Sequence, residues 1–452
     1  MSKKVGNLIP GPPEHPSEQH NLNDIARAGG LHNFQLLLHE TYGDVARFWL
    51  SDSTLVVSIN DPEILKKTQK VGDRPKELFK FLEPLLGPDN WQVIPAEKAK
   101  ERRKIIIPAL GHDVVLKSSF NTIISQTKLL IQKWSLAAQE QTIVELQKDL
   151  TKQTLNIIAS VAFGYQLTAT ERTRLTESFK NVLTEFINEQ YQLPCVLSLE
   201  ERQKQLNISL SILHDTVEQI IQKRVAERNE NEKPECNDIL NALIENQVPP
   251  EEIHMGVIGL LLAGFHTTGI TISWVLYLLS QHPDITMRVC QEIDDAIESD
   301  RELVYDDINK LDYFSMVLKE SMRKYSPAPY AAREIQQDME LGGYVIPAKT
   351  TILYPIYSVH KNPKYWPNPE KFDPERFSES NLKNIHELAY IPFGFGPRSC
   401  SGMALALLSV KVILVMLLRE FSFQLVPQHP IVPVDRFTLW SEHDIKVTLS
   451  KR

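Results

Sequence analysis

The stretch that decides the reading is Phe393-Gly394-Phe395-Gly396-Pro397-Arg398-Ser399-Cys400-Ser401-Gly402, a glycine-rich loop that delivers one cysteine to the start of an apolar helix. From Met403 the chain continues Ala-Leu-Ala-Leu-Leu-Ser-Val-Lys-Val-Ile-Leu-Val-Met-Leu-Leu, with Lys411 its only charge before Arg419. Such a helix is buried on nearly all sides. Cys400 sits where free backbone N–H groups and the positive helix end favour a thiolate, the form that ligates a metal. A lone cysteine after a turn would be read as a buried structural thiol. The surrounding glycines and arginine need a further reason.

The spacing Phe393, Gly396, Arg398, Cys400, Gly402 resembles the haem-binding loop of the cytochrome P450 family. The resemblance implies that Cys400 is the axial iron ligand and that Phe393, Gly394 and Arg398 belong to the haem site. Glycines let backbone pass close under a flat macrocycle, and an arginine pairs with a propionate. A thiolate ligand pushes electron density toward iron and favours O–O cleavage. The cofactor set implied is haem b and O2.

Composition bounds the remainder. The 452 residues carry a net charge of −8 and no basic footprint, so nucleic acid is not an expected partner. Length alone would suggest two or three domains. With no linker, low-complexity tract or repeat, we read residues 1–452 as one haem-binding domain whose residues 1–20 form a proline-rich N-terminal segment. The cysteines Cys195, Cys236, Cys290 and Cys400 form no CxxC pair, which suits a reducing compartment. No apolar run at the N-terminus is long enough for an anchor, so the chain as given reads as soluble and cytoplasmic. Ile9-Pro10-Gly11-Pro12-Pro13 resembles the hinge that follows an anchor helix in eukaryotic members, so an anchored native form stays open.

Ile253 to Pro283 contains no Asp, Glu, Lys or Arg and is long enough to cross a bilayer. His254, His266, Thr267, Thr268, Thr271, Ser273 and Gln281 would be expensive facing lipid, so we read one long helix buried in protein. Elsewhere the periodicity is helical over Phe34–Tyr42 and from Phe120 to about Glu227, broken near residues 192–198 by an apolar loop suited to an entrance and to membrane contact. Val45–Leu50 and Thr54–Ile59 read as a hairpin, Asp61-Pro62 as a helix start, and Leu341–Pro347 and Thr350–Tyr354 as short strands. The fold class is mainly α: a P450-like helical fold with a small β-rich portion near the N-terminus and a long central helix over the haem.

Within that helix, Ala263-Gly264-Phe265-His266-Thr267-Thr268 is similar to the family's oxygen-activation stretch. The resemblance makes Gly264 a cofactor-facing residue and Thr267 a proton relay. The family's acid is His266 here, read as a second relay group, as a histidine turned away from the pocket, or as a mark of chemistry without reductase electrons. Substrate contacts are expected from Ala263, Phe265 and the loop Leu193–Leu197. Glu320 and Arg323 share a helix face and, with Arg376 of Phe372-Asp-Pro-Glu-Arg-Phe377, resemble the family's buried structural cluster. Arg333 and Arg103 resemble haem-facing arginines, although Ala99 stands where the family often has tryptophan.

The resemblance implies a haem-thiolate monooxygenase that inserts one oxygen atom into a hydrophobic small molecule such as a sterol or fatty acid. No dinucleotide fingerprint is present. NAD(P)H would therefore act only indirectly, through a flavoprotein reductase or ferredoxin. A haem-thiolate isomerase or peroxygenase and a non-catalytic haem sensor or carrier are the alternatives. Leu31-His-Asn-Phe through Gly43, with Phe48-Trp49, also resembles an orphan animal branch of the family.

Overall fold

The uncharged run forms one 32-residue helix, Pro250–Gln281, in a computed structural model of the chain. The model describes residues 9–13, 20–51, 54–191, 193, 195–230, 238–298 and 301–452. Pro250 stands in the first turn with Glu251 and Glu252, and His282 ends the helix before Pro283 opens the next. The fixed φ of proline and the acids complement a helix N-terminus. This is the one helix among the described residues long and apolar enough to span a membrane, and 67% of its most apolar window is buried in protein.

The principal elements in chain order begin with α1 (Leu31–Tyr42), β1 (Val45–Trp49), β2 (Leu55–Ile59), α2 (Pro62–Lys66), α3 (Ala96–Gly111), α4 (Asp113–Glu140), α5 (Leu146–Phe163), α6 (Ala169–Gln190) and α7 (Leu199–Glu230). The central helix is α8. After it come α9 (Pro283–Ala296), α10 (Asp312–Lys324), β3 (Ala331–Glu334), β4 (Met339–Leu341), β5 (Tyr344–Ile346), β6 (Thr351–Tyr354) and α11 (Met403–Glu420). The chain ends in β7 (Phe421–Leu425), β8 (Pro433–Arg436), β9 (Thr438–Ser441) and β10 (Lys446–Lys451).

The hairpin and the α2 start follow the sequence reading. β1 pairs antiparallel with β2 in the register Val45↔Ile59, and the Asp61 carboxylate accepts from the Glu63 and Ile64 amides at 2.8 and 3.1 Å, capping α2. The β portion is not confined to the N-terminus, however. β2 pairs parallel with β6, which pairs antiparallel with β3, giving the order β1-β2-β6-β3. Leu341–Pro347, read as one strand, is the turn and second strand of the β4–β5 hairpin. Gly342 and Gly343 take φ of 60° and 84° there, so the chain reverses at the point where the strand was expected to run on. The C-terminal sheet and the β8–β9 hairpin were not read from sequence at all.

One apolar core surrounds α8, drawing residues from α4, α5, α6, α9, α10 and α11. Helix α5 reaches α8 closely because two glycines face it: a Cβ at Gly264 would lie 2.6 Å from Ile158 Cγ1, and one at Gly269 would lie 2.9 Å from Thr151 Cα. A second core lies under the four-stranded sheet and includes Ile9, only 1% exposed. The Ile9–Pro13 segment lies along β1, with the Arg47 amide donating to Pro10 O at 2.8 Å. Residues 1–8 and 14–19 of the proline-rich segment, and Cys236, lie outside the described residues.

Candidate active site

The cysteine loop is closed by a bond from the Cys400 amide to Phe393 O, 2.8 Å, and another from the Gly394 amide to Ile391 O, 2.9 Å. Gly394 and Gly396 have φ of 66° and 70°. At Gly396 a side chain is doubly excluded, because its Cβ would come within 2.4 Å of Gln69 O. The loop thus aims Cys400 from just before the first turn of α11. Cys400 is accessible at its surface although protein crowds it. Ala263 is likewise accessible in mid-helix, where Leu261, Leu262 and Phe265 are buried. Burial pushes the Cys400 thiol up, while the Gly402 amide and the guanidiniums of Arg103 and Arg74 pull it down.

Four arginines gather around this cysteine. Arg398 donates to the backbone carbonyls of Gly72 at 2.8 Å and Trp91 at 3.1 Å, and also to that of Ile94. Arg103 donates to Ser399 O at 2.8 Å and Ser401 Oγ at 2.7 Å, gripping both flanks of Cys400. Arg333 bonds Ala332 O at 2.7 Å and Phe395 O at 3.3 Å, and stands over the Tyr354 ring. Arg74 bonds Gln92 Oε1, while its Nε is buried without a partner. Neighbouring Arg102 is different, being paired with Glu252 at 2.9 Å.

None of the four forms an ion pair with a carboxylate among the described residues. Burial, then the charges of Arg333, Arg398 and Arg103, hold the Arg74 guanidinium well below the usual arginine range. Arg398 is pushed down to about 10 by burial and by Arg333 and Arg103, with Asp73 opposing. A desolvated cationic wall of this kind is incomplete without an anion. The residues present therefore fit a flat group that carries carboxylates at its edge and a metal at its centre, with Cys400 beneath it.

The central-helix motif divides among several surroundings. Thr267 is half-buried, and its Oγ1 donates to Ala263 O at 2.7 Å, the backbone bond that helical threonines often make. Gly264 has a packing reason, since it is the seat of Ile158. Phe265, expected at the substrate, is only 2% exposed and packs on Phe179 with ring centroids 5.2 Å apart. His266 is 3% exposed, its Nδ1 lies 2.8 Å from Thr438 Oγ1, and its ring lies 4.7 Å from that of Trp440. Burial lowers its pKa to about 3, so the ring is neutral. Of the three readings of His266, this placement favours the side chain turned into the protein.

Leu193 is half-buried, packed against the cluster containing Leu22, Phe34 and Tyr191. Gln192 and Pro194 of the same loop lie outside the described residues. The structural triad forms as a unit. Glu320 and Arg323 are both fully buried, joined by bonds of 2.6 and 2.8 Å, and Arg376 Nε stands 3.5 Å from Glu320 Oε1. Arg323 also donates to the carbonyls of His360 and Pro369.

Two residues escaped the sequence reading. Arg74 lies in an aperiodic segment before Pro75, with no local signal that it meets Arg103, Arg333 and Arg398. Trp91, eight residues before the Ala99 position, lies against the central helix where a Cβ on Gly256 would come 2.4 Å from its ring. Its indole nitrogen is buried without a partner.

A family model described as cytochrome P450 matches residues 10–449. Cytochrome P450 3A9 of Rattus norvegicus is 30% identical over 455 aligned positions, covering 93% of this chain and 86% of the relative. Cytochrome P450 4V2 of Homo sapiens is 29% identical over 430 positions, covering 88% and 81%. The crystal structure of the cytochrome P450DA heme domain has the same fold, with a TM-score of 0.86, 22% identity and 98% coverage of both chains.

Proposed function

The chain belongs to the cytochrome P450 family, and from that premise we propose that Cys400 is its axial thiolate and that its substrate is an apolar small molecule such as a sterol or fatty acid. Membership makes it a haem-thiolate monooxygenase using O2. When bound, the haem supplies the iron chemistry that activates O2.

The observation that carries the assignment is the placement of Cys400. Its own amide is tied to Phe393 O, both neighbouring serines are gripped by Arg103, and its surface is accessible inside the fold. Arg74, Arg103, Arg333 and Arg398 would hold the cofactor's carboxylates, and Phe393 and Gly394 would shape the loop beneath it. Of the central-helix residues, Ala263 would line the substrate side. Thr267 Oγ1, held by Ala263 O, keeps its lone pairs free to accept from water and so holds a proton-transfer position. His266 and Gly264 support this helix from behind.

Electrons would come from NAD(P)H through a separate flavoprotein reductase or ferredoxin. Val196 and Leu197 in the loop before α7, and Leu199 at its start, expose apolar side chains, which supports membrane contact there. The test is the reduced-plus-CO difference spectrum of haem-loaded wild type, Cys400→Ser and Cys290→Ser proteins. A red-shifted Soret band in wild type and Cys290→Ser, lost in Cys400→Ser, is expected. Retention of that band in Cys400→Ser would overturn the assignment.

A further inference from the structure

Two adjoining cavities of ≈ 100 and ≈ 300 Å³ lie between α5, α6 and the β8–β9 hairpin, sharing Lys180, His266, Trp440, Glu442 and Asp444 in their walls. None of Ala263, Thr267 or Cys400 lines either of them. We propose that this cleft is a second ligand site, separate from the haem pocket, that takes a small flat carboxylate.

The chemistry of the walls sets that class. Gln147 is fully buried. Its Oε1 accepts from the Ser441 amide at 3.2 Å, which leaves the amide nitrogen a donor with no partner. In the tautomer whose Nδ1 accepts from the Thr438 hydroxyl, the second ring nitrogen of His266 is a donor with no partner among the described residues. Lys180 and Arg436 reach no carboxylate at ion-pair distance among the described residues. Leu183, Val434 and Trp440 add apolar surface for a ring.

The acids in the walls are largely engaged. Asp444 accepts from the Gln147, Lys148 and Ile445 amides at 2.8, 3.0 and 2.6 Å, so the start of α5 already has its anion. Glu145 is held by Lys148 at 2.8 Å. Glu177 shares the larger cavity with Lys148 and Lys152, while Glu442, 3.8 Å from His443, lines both cavities. The buried Gln147 amide, the second ring nitrogen of His266 and the cations of Lys180 and Arg436 therefore face the smaller cavity against the carboxylate of Glu442, and an acceptor with negative charge completes them. The larger cavity is of a size that holds a one- or two-ring molecule.

Such a ligand would act on the reaction at one remove. His266 precedes Thr267 on α8 and also holds Thr438 of the hairpin, so a bound carboxylate would stiffen the link between hairpin and helix. The test is isothermal titration of the haem-loaded full chain with 2-naphthoate and with 2-naphthalenemethanol. The carboxylate should bind at one site at least about tenfold more tightly than the alcohol. Lys180→Ala and Arg436→Ala, both outside the catalytic machinery, should each weaken it severalfold. Saturating an iron-coordinating azole should leave naphthoate binding intact. Equal affinity for acid and alcohol, indifference to both substitutions, or displacement by the azole would each overturn the proposal.

Discussion

His266 Nδ1 stands 2.8 Å from Thr438 Oγ1, joining the middle of the central helix to a hairpin strand 172 residues further along the chain. The side chain next to the proposed relay Thr267 is thus already committed to a structural bond. His266→Ala leaves the Thr438 hydroxyl buried without a partner, which costs about 1–3 kcal/mol. The denaturation midpoint should fall accordingly, with product formed per NADPH close to wild type. Thr267→Ala should do the reverse, leaving stability intact and lowering that yield by about tenfold or more. Equal yields in the two variants would remove Thr267 from the relay.

Acid should destabilise the protein through buried neutral histidines. Burial lowers His32 and His39 to about 4, and His266 and His360 to about 3, from an ordinary 6.5. The unfolded chain binds more protons at each of these sites below 6.5, so each contributes stability that is present above 6.5 and lost as pH falls through the folded value, by about 1.4 kcal/mol per unit. Asp435, raised to about 7 by burial, works in the opposite direction and offsets about one of them. Urea midpoints should drop steeply between pH 6.5 and 4.5. His360→Gln should flatten that slope by about one proton, and an unchanged slope would show that His360 is protonated in the fold.

Removing Glu320 should strand two buried guanidiniums. Glu320 accepts from Arg323 Nε and Nη2 and from the Asp373 amide, and lies beside Arg376. Glu320→Ala alone is expected to cost about 3–5 kcal/mol, whereas Glu320→Met combined with Arg323→Leu should cost less than the sum of the single changes. Strict additivity in a double-mutant cycle read by urea denaturation would contradict a shared network.

What was legible in the chain was local. The glycine spacing around Cys400, the charge-free run of α8 and the i, i+3 pair of Glu320 and Arg323 each declare themselves within about ten residues; the run forms one helix and the pair is buried and bonded as read. What was hidden depends on distant partners. Phe265 and His266 looked like pocket residues because they neighbour Thr267 in sequence, but successive helical residues point about 100° apart, and Phe179 and Thr438 claim them. That Gly264 seats Ile158 of α5 against its bare backbone was likewise not visible in sequence. The C-terminal strands do alternate, as in Phe421-Ser-Phe-Gln-Leu425, but each run is only five or six residues long, the first follows α11 without a break, and their partners lie far apart in the chain.

Arg74 is the sharpest test of the cationic wall, because it is the member that sequence did not reveal. In the chain without cofactor its guanidinium is held well below the usual arginine range by burial and by the charges of Arg333, Arg398 and Arg103, and its Nε is buried without a partner. Among the described residues, the Gln92 side chain is the acceptor it meets. A charge so placed destabilises the empty fold unless an anion joins it. Arg74→Met should therefore leave the cofactor-free protein as stable as wild type or more so, while weakening haem retention by about tenfold or more, read as the rate of haem transfer to excess apomyoglobin. The control is Arg102→Met. Arg102 already has Glu252 as its counter-charge, so its loss should leave haem retention unchanged. If Arg74→Met destabilised the cofactor-free chain and left haem transfer unaltered, Arg74 would be a packing residue and the wall would rest on Arg103, Arg333 and Arg398 alone.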